Sequence, residues 1–388
     1  MSVARLLENH RVIVCVGSGG VGKTTVAASL ALQGALAGKR AMVLTIDPAR
    51  RLAQSLGLDT LRSGGERISA ERLSAQGLET TGTLSAGMLD QKSAWDEFIA
   101  RHSPSEQIRD TILQNEFYQH LSRSFAGSTE YMAIEELARV DESGQFDLIV
   151  LDTPPTGHAL DFLEAPARLE DFFDRGLLSW LLLPSMSAGW SVWKTASRSV
   201  RFLFEKVEEA TGVQALAQIA SFFSAIEHLV DGITERGRKV RALLQGDSTA
   251  FVLVSGPDEQ VLEEADELYA KMRALGMPLK GVVMNRVHPL PAGLDGPHGA
   301  GAVERVLDLV VARDVKVRQW LSHAVRDLCV QSAAEEVRRE DFEANLPSDV
   351  LVTVIPEQRG DVHDIAQLAN LGAYLKQSFA IQEPGGRA

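Results

Sequence analysis

The segment Gly17-Ser-Gly-Gly-Val-Gly-Lys23-Thr24 spaces glycines, one lysine and one hydroxyl as a loop that wraps phosphate. Glycines let backbone N–H groups converge on an anion. A helix starting at the end of the loop points its positive terminus at the same place. Lys23 is placed to reach the β- and γ-phosphates of a nucleotide, and Thr24 to ligate Mg2+. Thr25 is placed for the α-phosphate. Gly17, Ser18, Gly19, Gly20, Val21, Gly22, Lys23, Thr24 and Thr25 therefore form the first candidate site.

Two acidic residues are candidates for the same chemistry. Asp47 opens "DPARRLAQSLG" after an apolar run. At the carboxyl end of a strand it lies where such sheets bind ligands, and it would orient or deprotonate a water attacking the γ-phosphate. It serves equally as the N-cap of a helix over Ala49–Leu56. Asp152 closes the apolar run "FDLIVLD" and fits a carboxylate that holds Mg2+ through water. The turn that follows, Thr153, Pro154, Pro155, Thr156, Gly157 and His158, reads together with Asp152 as a switch that changes shape with the γ-phosphate. His158 reads as a positioned switch residue rather than a catalytic base.

These residues need a scaffold that brings strand ends together. Val12–Val16, Ala41–Asp47, Phe146–Asp152, Phe251–Ser255, Gly281–Asn285 and Asp349–Ile355 are short apolar runs, as expected for strands buried on both faces. Helical segments fall between or after them, including Thr24 to about Gly38, Asp258–Leu275 and Asp361–Phe379. Alternation of this kind predicts an α/β fold, a doubly wound and mainly parallel sheet, in one domain over residues 1–388. Two helical stretches, about 90–140 and 166–244, exceed a minimal fold and predict a helical subdomain inserted between strands. Pro289–Ala302 is Pro/Gly-rich, so a flexible loop is expected over about 287–302, with His288 and His298 as solvated loop histidines rather than metal ligands. Residues 381–388 are expected to be a disordered tail.

Within the second insertion, Gly176–Trp193 carries no charge and holds three of the five tryptophans. It falls short of the about 20 apolar residues of a membrane span and is broken by Pro184 and Gly189. It reads as a buried hairpin or as an apolar client surface built from Leu177, Trp180, Leu181, Leu182, Leu183, Trp190 and Trp193. A net charge of −13 argues against nucleic acid as a partner. The two cysteines, Cys15 and Cys329, are too far apart in sequence for a C-x-x-C pair, so zinc and a disulfide framework are not expected. The N-terminal apolar run is too short for a secretory signal, and a cytoplasmic protein is expected.

Taken together, "GSGGVGKT", "DPAR" and "DTPPTGH" resemble the arsenite-pump ATPase family, ArsA, which includes the ATPase that targets tail-anchored membrane proteins. The family pattern is G-K-G-G-V-G-K-T, D-P-A-H and D-T-A-P-T-G-H. The resemblance runs from about residue 10 to about residue 380 and implies a P-loop ATPase that uses ATP and Mg2+. It favours the hydrolytic role for Asp47 beside Lys23. It also implies that Asn285 and Arg286 of "GVVMNRVHP" and Pro356 and Glu357 of "IPEQRGDVHDI" contact adenine.

The departures are informative. Where the family loop has a first lysine that crosses a dimer interface to the partner's nucleotide, this chain has Ser18. Arg50 and Arg51 are possible substitutes within a homodimer. A heterodimer with a second family member carrying the lysine is the other arrangement. The arsenite-binding cysteines and the zinc C-x-x-C of the targeting ATPases have no equivalents, and cluster cysteines for an iron–sulfur reductase are absent. The expected activity is a nucleotide-dependent switch handling a hydrophobic or membrane-associated client, with peripheral membrane contact. The alternatives are the ATPase subunit of an anion or metalloid efflux pump, and a ParA- or MinD-like positioning ATPase. The C-terminus lacks the basic amphipathic helix of the latter.

Overall fold

The computed structural model describes residues 2–46, 51–58, 60–61, 65–124, 128–154, 218, 221–222, 224–226, 229–289, 315–358 and 360–376. Described strands are β1 (Val12–Gly17), β2 (Arg40–Thr45), β3 (Glu66–Arg67), β4 (Thr83–Met88), β5 (Leu148–Asp152), β6 (Thr249–Ser255), β7 (Leu279–Val287) and β8 (Leu351–Pro356). They form one sheet in the order β3-β4-β2-β5-β1-β6-β7-β8. All pairings are parallel except β3 with β4. The chain leaves β1 toward β2 on one side and later reaches β6 on the other. The carboxyl end of β1 is thus a topological switch point, where open α/β sheets bind ligands.

The apolar runs explain this centre. β1, β5 and β6 are buried at every position. Successive side chains point to opposite faces. Val12, Val14 and Val16 enter one core with Ile149, Leu151, Phe251 and Leu253. Ile13 and Cys15 enter the other with Leu148, Val150, Ala250 and Val252.

Helices cover both faces. The second core takes α1 (Val3–Asn9), α2 (Lys23–Leu36), α3 (Arg51–Ser55), α4 (Ala70–Ala75) and, at the C-terminal end, Ile365–Lys376. The first core takes α5 (Gln91–His102), α6 (Glu106–Leu113), α7 (Glu116–Ser124), α8 (Ser128–Glu142), α9 (Val230–Gln245), α10 (Glu259–Ala274) and α11 (Val315–Ala344). Ile365–Lys376 is α12. Within the stretch over about 90–140, the described residues form α5 to α8. Most of 166–244, all of 290–302 and the tail lie outside the described residues.

Several elements differ from the sequence reading. β4, "TLSAGM", has no apolar run, yet it pairs with β2 along its whole length. α11 gives no clear sequence signal because Trp320, Val330 and Val337 are exposed on it. α12 starts at Ile365 rather than Asp361. Asp364 Oδ1 accepts the Gln367 backbone N–H at 2.7 Å, so the later aspartate is the cap.

A buried charge cluster ties the helices of the first core. Arg236 of α9 donates through Nε to Glu135 of α8 at 2.7 Å and also pairs with Glu142. Arg101 of α5 lies 3.5 Å from Glu135. Burial, the largest influence, raises the Glu135 carboxyl, while Arg236 pulls it down.

Candidate functional site

β1 ends on Gly17, and its approach to β6 leaves no room for a side chain. A Cβ there would lie 2.0 Å from the Val254 carbonyl oxygen. The loop then turns back and α2 begins at Lys23. Gly22 is its N-cap in the left-handed region, φ 92° and ψ 24°. L-residues with a Cβ avoid that conformation. Gly22 caps α2 without a side-chain hydrogen bond, and the first N–H groups of a helix have no intrahelical partner and favour anions.

Lys23 is buried, and its Nζ donates to the carbonyl oxygens of Gly17 at 3.0 Å and Ser18 at 2.7 Å. Its ammonium is thus folded over the loop. Ser18 is 3% exposed, and its Oγ has no hydrogen-bond partner.

Asp152 ends β5, 1% exposed. Its Oδ2 accepts two hydroxyls, Thr24 Oγ1 at 2.7 Å and Thr45 Oγ1 at 2.8 Å. The next residue is tied to β1: Thr153 Oγ1 and backbone N both donate to the Cys15 carbonyl oxygen, at 2.8 and 3.3 Å. Pro154 is described. Pro155, Thr156, Gly157 and His158 lie outside the described residues, as do Asp47, Arg50 and the apolar stretch with Leu177, Trp180, Leu181, Leu182, Leu183, Trp190 and Trp193. Arg51 is the exposed first residue of α3.

The four residues expected around adenine form one rim beside the loop. Asn285 is 7% exposed, and its Nδ2 donates to the Val21 carbonyl oxygen at 2.8 Å. Arg286, exposed, has φ 62°, a conformation rare outside glycine. Its Nε lies 3.9 Å from Glu357 Oε2. Pro356 ends β8, and the Glu357 backbone N–H donates to the Val287 carbonyl at 2.9 Å.

Two features escaped the sequence. Thr45 joins the site because parallel register sets it opposite Asp152; only its place as the last strand residue before "IDPA" hinted at it. His288 is not a solvated loop residue. Buried Glu335 of α11 accepts its backbone N–H at 2.8 Å and lies 2.8 Å from its ring Nδ1.

Cys15 is fully buried in β1. Burial first and Asp152 second push its thiol far above the ordinary value, so it stays protonated. Among the described residues, no group of three or more His, Cys, Asp or Glu side chains is placed to hold a metal ion, and no helix is long and apolar enough to cross a membrane.

A parallel strand, a glycine loop, a helix and an acid from the adjacent strand bonded to that helix's threonine define a P-loop NTPase. The chain belongs to the anion-transporting ATPase family, which it matches over residues 10–293, and it is an ATPase. It is similar to the ATPase GET3 of Malassezia globosa, with 27% identity over 74% of this chain and 75% of that protein. It is similar also to ATPase ASNA1 homolog 1 of Paramecium tetraurelia, 28% identical over 74% of this chain and 78% of that protein. A third relative, ATPase GET3C of Arabidopsis thaliana, is 27% identical over 70% of this chain and 66% of its own length.

Proposed function

We propose that the chain is a nucleotide-driven switch that hydrolyses ATP to ADP and phosphate and handles a hydrophobic or membrane-associated client. The observation that carries this reading is the Thr24–Asp152 bond of 2.7 Å. It joins the phosphate-binding helix directly to the strand whose next residues are the expected switch. A change at the phosphate end is felt one residue before Thr153.

The residues fit the roles. Backbone N–H groups of the loop and of Lys23, Thr24 and Thr25 bind the phosphates. Lys23 exchanges its two carbonyl partners for phosphate oxygens. Thr24 and Asp152 offer hard oxygen donors side by side, the set Mg2+ prefers, and they would hold it with the nucleotide. When bound, Mg2+ neutralises phosphate charge. Asp47 orients or deprotonates the attacking water. Asn285, Arg286, Pro356 and Glu357 border the base. The client surface is the uncharged stretch Gly176–Trp193, and the protein works in the cytoplasm with peripheral contact to a membrane.

An arsenite-pump reading is disfavoured by the cysteines. Soft metalloids want clustered thiolates, whereas Cys15 is a buried protonated thiol of β1 and Cys329 lies on α11. The partner follows from Ser18. Enclosed at 3% exposure, it delivers no charge to a neighbour. A second family member with a lysine at this position would supply that cation in trans, an effect worth about 10³-fold or more for arginine fingers.

The test is steady-state hydrolysis and nucleotide binding by the purified chain. Lys23→Ala should lose nucleotide binding, and Asp47→Asn should bind ATP but turn it over slowly. Asp47→Asn working at the wild-type rate would return that residue to a capping role. Ser18→Lys should raise turnover and promote dimerisation on ATP. Fast hydrolysis by the unmodified chain, lost in Arg50→Ala or Arg51→Ala, would replace the heterodimer with a homodimer.

A further inference from the structure

We infer that Thr45 is a positioning residue for Asp152, and that it sets how strongly Mg2+ strengthens nucleotide binding. The inference rests on the proposed ATP·Mg2+ site and concerns a residue outside the glycine loop. Thr45 is the last residue of β2, is buried, and donates Oγ1 to Asp152 Oδ2 at 2.8 Å. Its place is imposed by the sheet. In the β2–β5 register the two residues are direct neighbours, so the hydroxyl meets the carboxylate without a mobile loop.

The geometry separates the two hydroxyls on that oxygen. Thr24 is on α2 and is itself a candidate metal ligand; its oxygen can meet a cation through a lone pair while its O–H stays on Asp152, so that bond travels with α2 and the nucleotide. Thr45 is on the sheet, at the end of β2, outside the glycine loop and α2. Its backbone carbonyl is engaged by the Leu89 N–H at 2.9 Å, which holds the residue between β5 and β4. The Thr45 hydroxyl therefore holds the Asp152 carboxylate in one orientation from the sheet side, independently of α2. Hydrogen-bond partners of metal-binding carboxylates commonly act in this way, and their loss costs about 10–100-fold in metal affinity. Thr45 also stands two residues before Asp47. The same bond thus fixes the start of the segment that carries the expected hydrolytic carboxylate.

The experiment measures equilibrium binding of a fluorescent ATP analogue to the full chain, titrated with Mg2+ and repeated in EDTA. Thr45→Val keeps the shape and removes the donor; Thr45→Ser keeps the donor. Thr45→Val should require about 10–100-fold more Mg2+ for half-maximal tightening, with its affinity in EDTA unchanged. Thr45→Ser should restore the wild-type midpoint. A purely structural role would lower the melting temperature of Thr45→Val without moving that midpoint, and this result would overturn the inference. So would a midpoint that shifts equally in Thr45→Ser. Should Thr45→Val fail to fold, Thr45→Ala carries the same comparison. A wild-type chain whose nucleotide affinity ignores Mg2+ would overturn the metal reading itself, an outcome distinct from a wild-type response that Thr45→Val retains.

Discussion

Gly22→Ala tests the most constrained point of the loop. At φ 92° an alanine pays the left-handed penalty, about 1–2 kcal/mol. Its Cβ would also lie 2.4 Å from Asn285 Nδ2. Real Cβ atoms do not tolerate that separation, so the Asn285 amide must move and release the Val21 carbonyl it now holds at 2.8 Å. A lost hydrogen bond of this kind costs about 1 kcal/mol. The single substitution should therefore destabilise by about 2–3 kcal/mol, the sum of the backbone and hydrogen-bond losses. In an Asn285→Ala background the amide is already gone, and only the backbone penalty remains. Urea unfolding of the two single variants and the double variant should give a double less destabilised than the sum by about 1 kcal/mol. ATP binding should weaken in Gly22→Ala, because the N–H groups no longer converge. Additive losses would refute the argument, since they would mean that Gly22 and Asn285 do not press on one another.

Arg236→Met should destabilise by up to about 3–5 kcal/mol, because it removes the 2.7 Å partner of the buried Glu135 carboxylate and leaves Arg101 at 3.5 Å. Adding Glu135→Gln should recover much of the loss in urea unfolding, and a single variant as stable as wild type would contradict the pairing. On the surface, the Asp147 carboxyl is held well below its ordinary range, first by the Arg40 side-chain bond and then by the Arg40 backbone N–H. A depressed folded value means that the contribution is complete above the unfolded value of about 3.9 and is lost as pH falls below it. The small melting-temperature deficit of Asp147→Asn at neutral pH should therefore close on acidification from about pH 4 downward; a gap that widens there would have the wrong sign.

What was legible in the sequence was local. The glycine loop declares itself because close backbone approach, chain reversal and helix initiation all fall within Gly17–Thr25. Asp152 was legible because an apolar strand ends on an acid. Thr45 was not, because its function depends on which residue of β5 stands opposite, and register is a property of two strands. β4 was missed because an edge-side strand paired with a two-residue β3 needs no apolar run. α11 was missed because its exposed Trp320, Val330 and Val337 blur the helical period. With α11 went Glu335, and so His288 looked solvated when it is held.

The arrangement around Asp152 explains why a serine can stand where the family loop has lysine without dismantling the site. One carboxylate oxygen joins α2, β2 and β5 through Thr24, Thr45 and its own strand, and Thr153 adds β1 through the Cys15 carbonyl. None of these bonds involves the side chain of residue 18. Loop shape depends on Gly17, Gly22 and Asn285, and Lys23 folds over the loop onto the Gly17 and Ser18 carbonyls. Ser18 can therefore change without loss of these bonds, and in the proposed heterodimer the consequence of the change would fall on the site that faces it from the other subunit. A cation at position 18 would also have to leave an enclosed pocket to reach such a neighbour. Its effect should then appear in turnover and dimerisation before it appears in the affinity of the isolated chain for nucleotide.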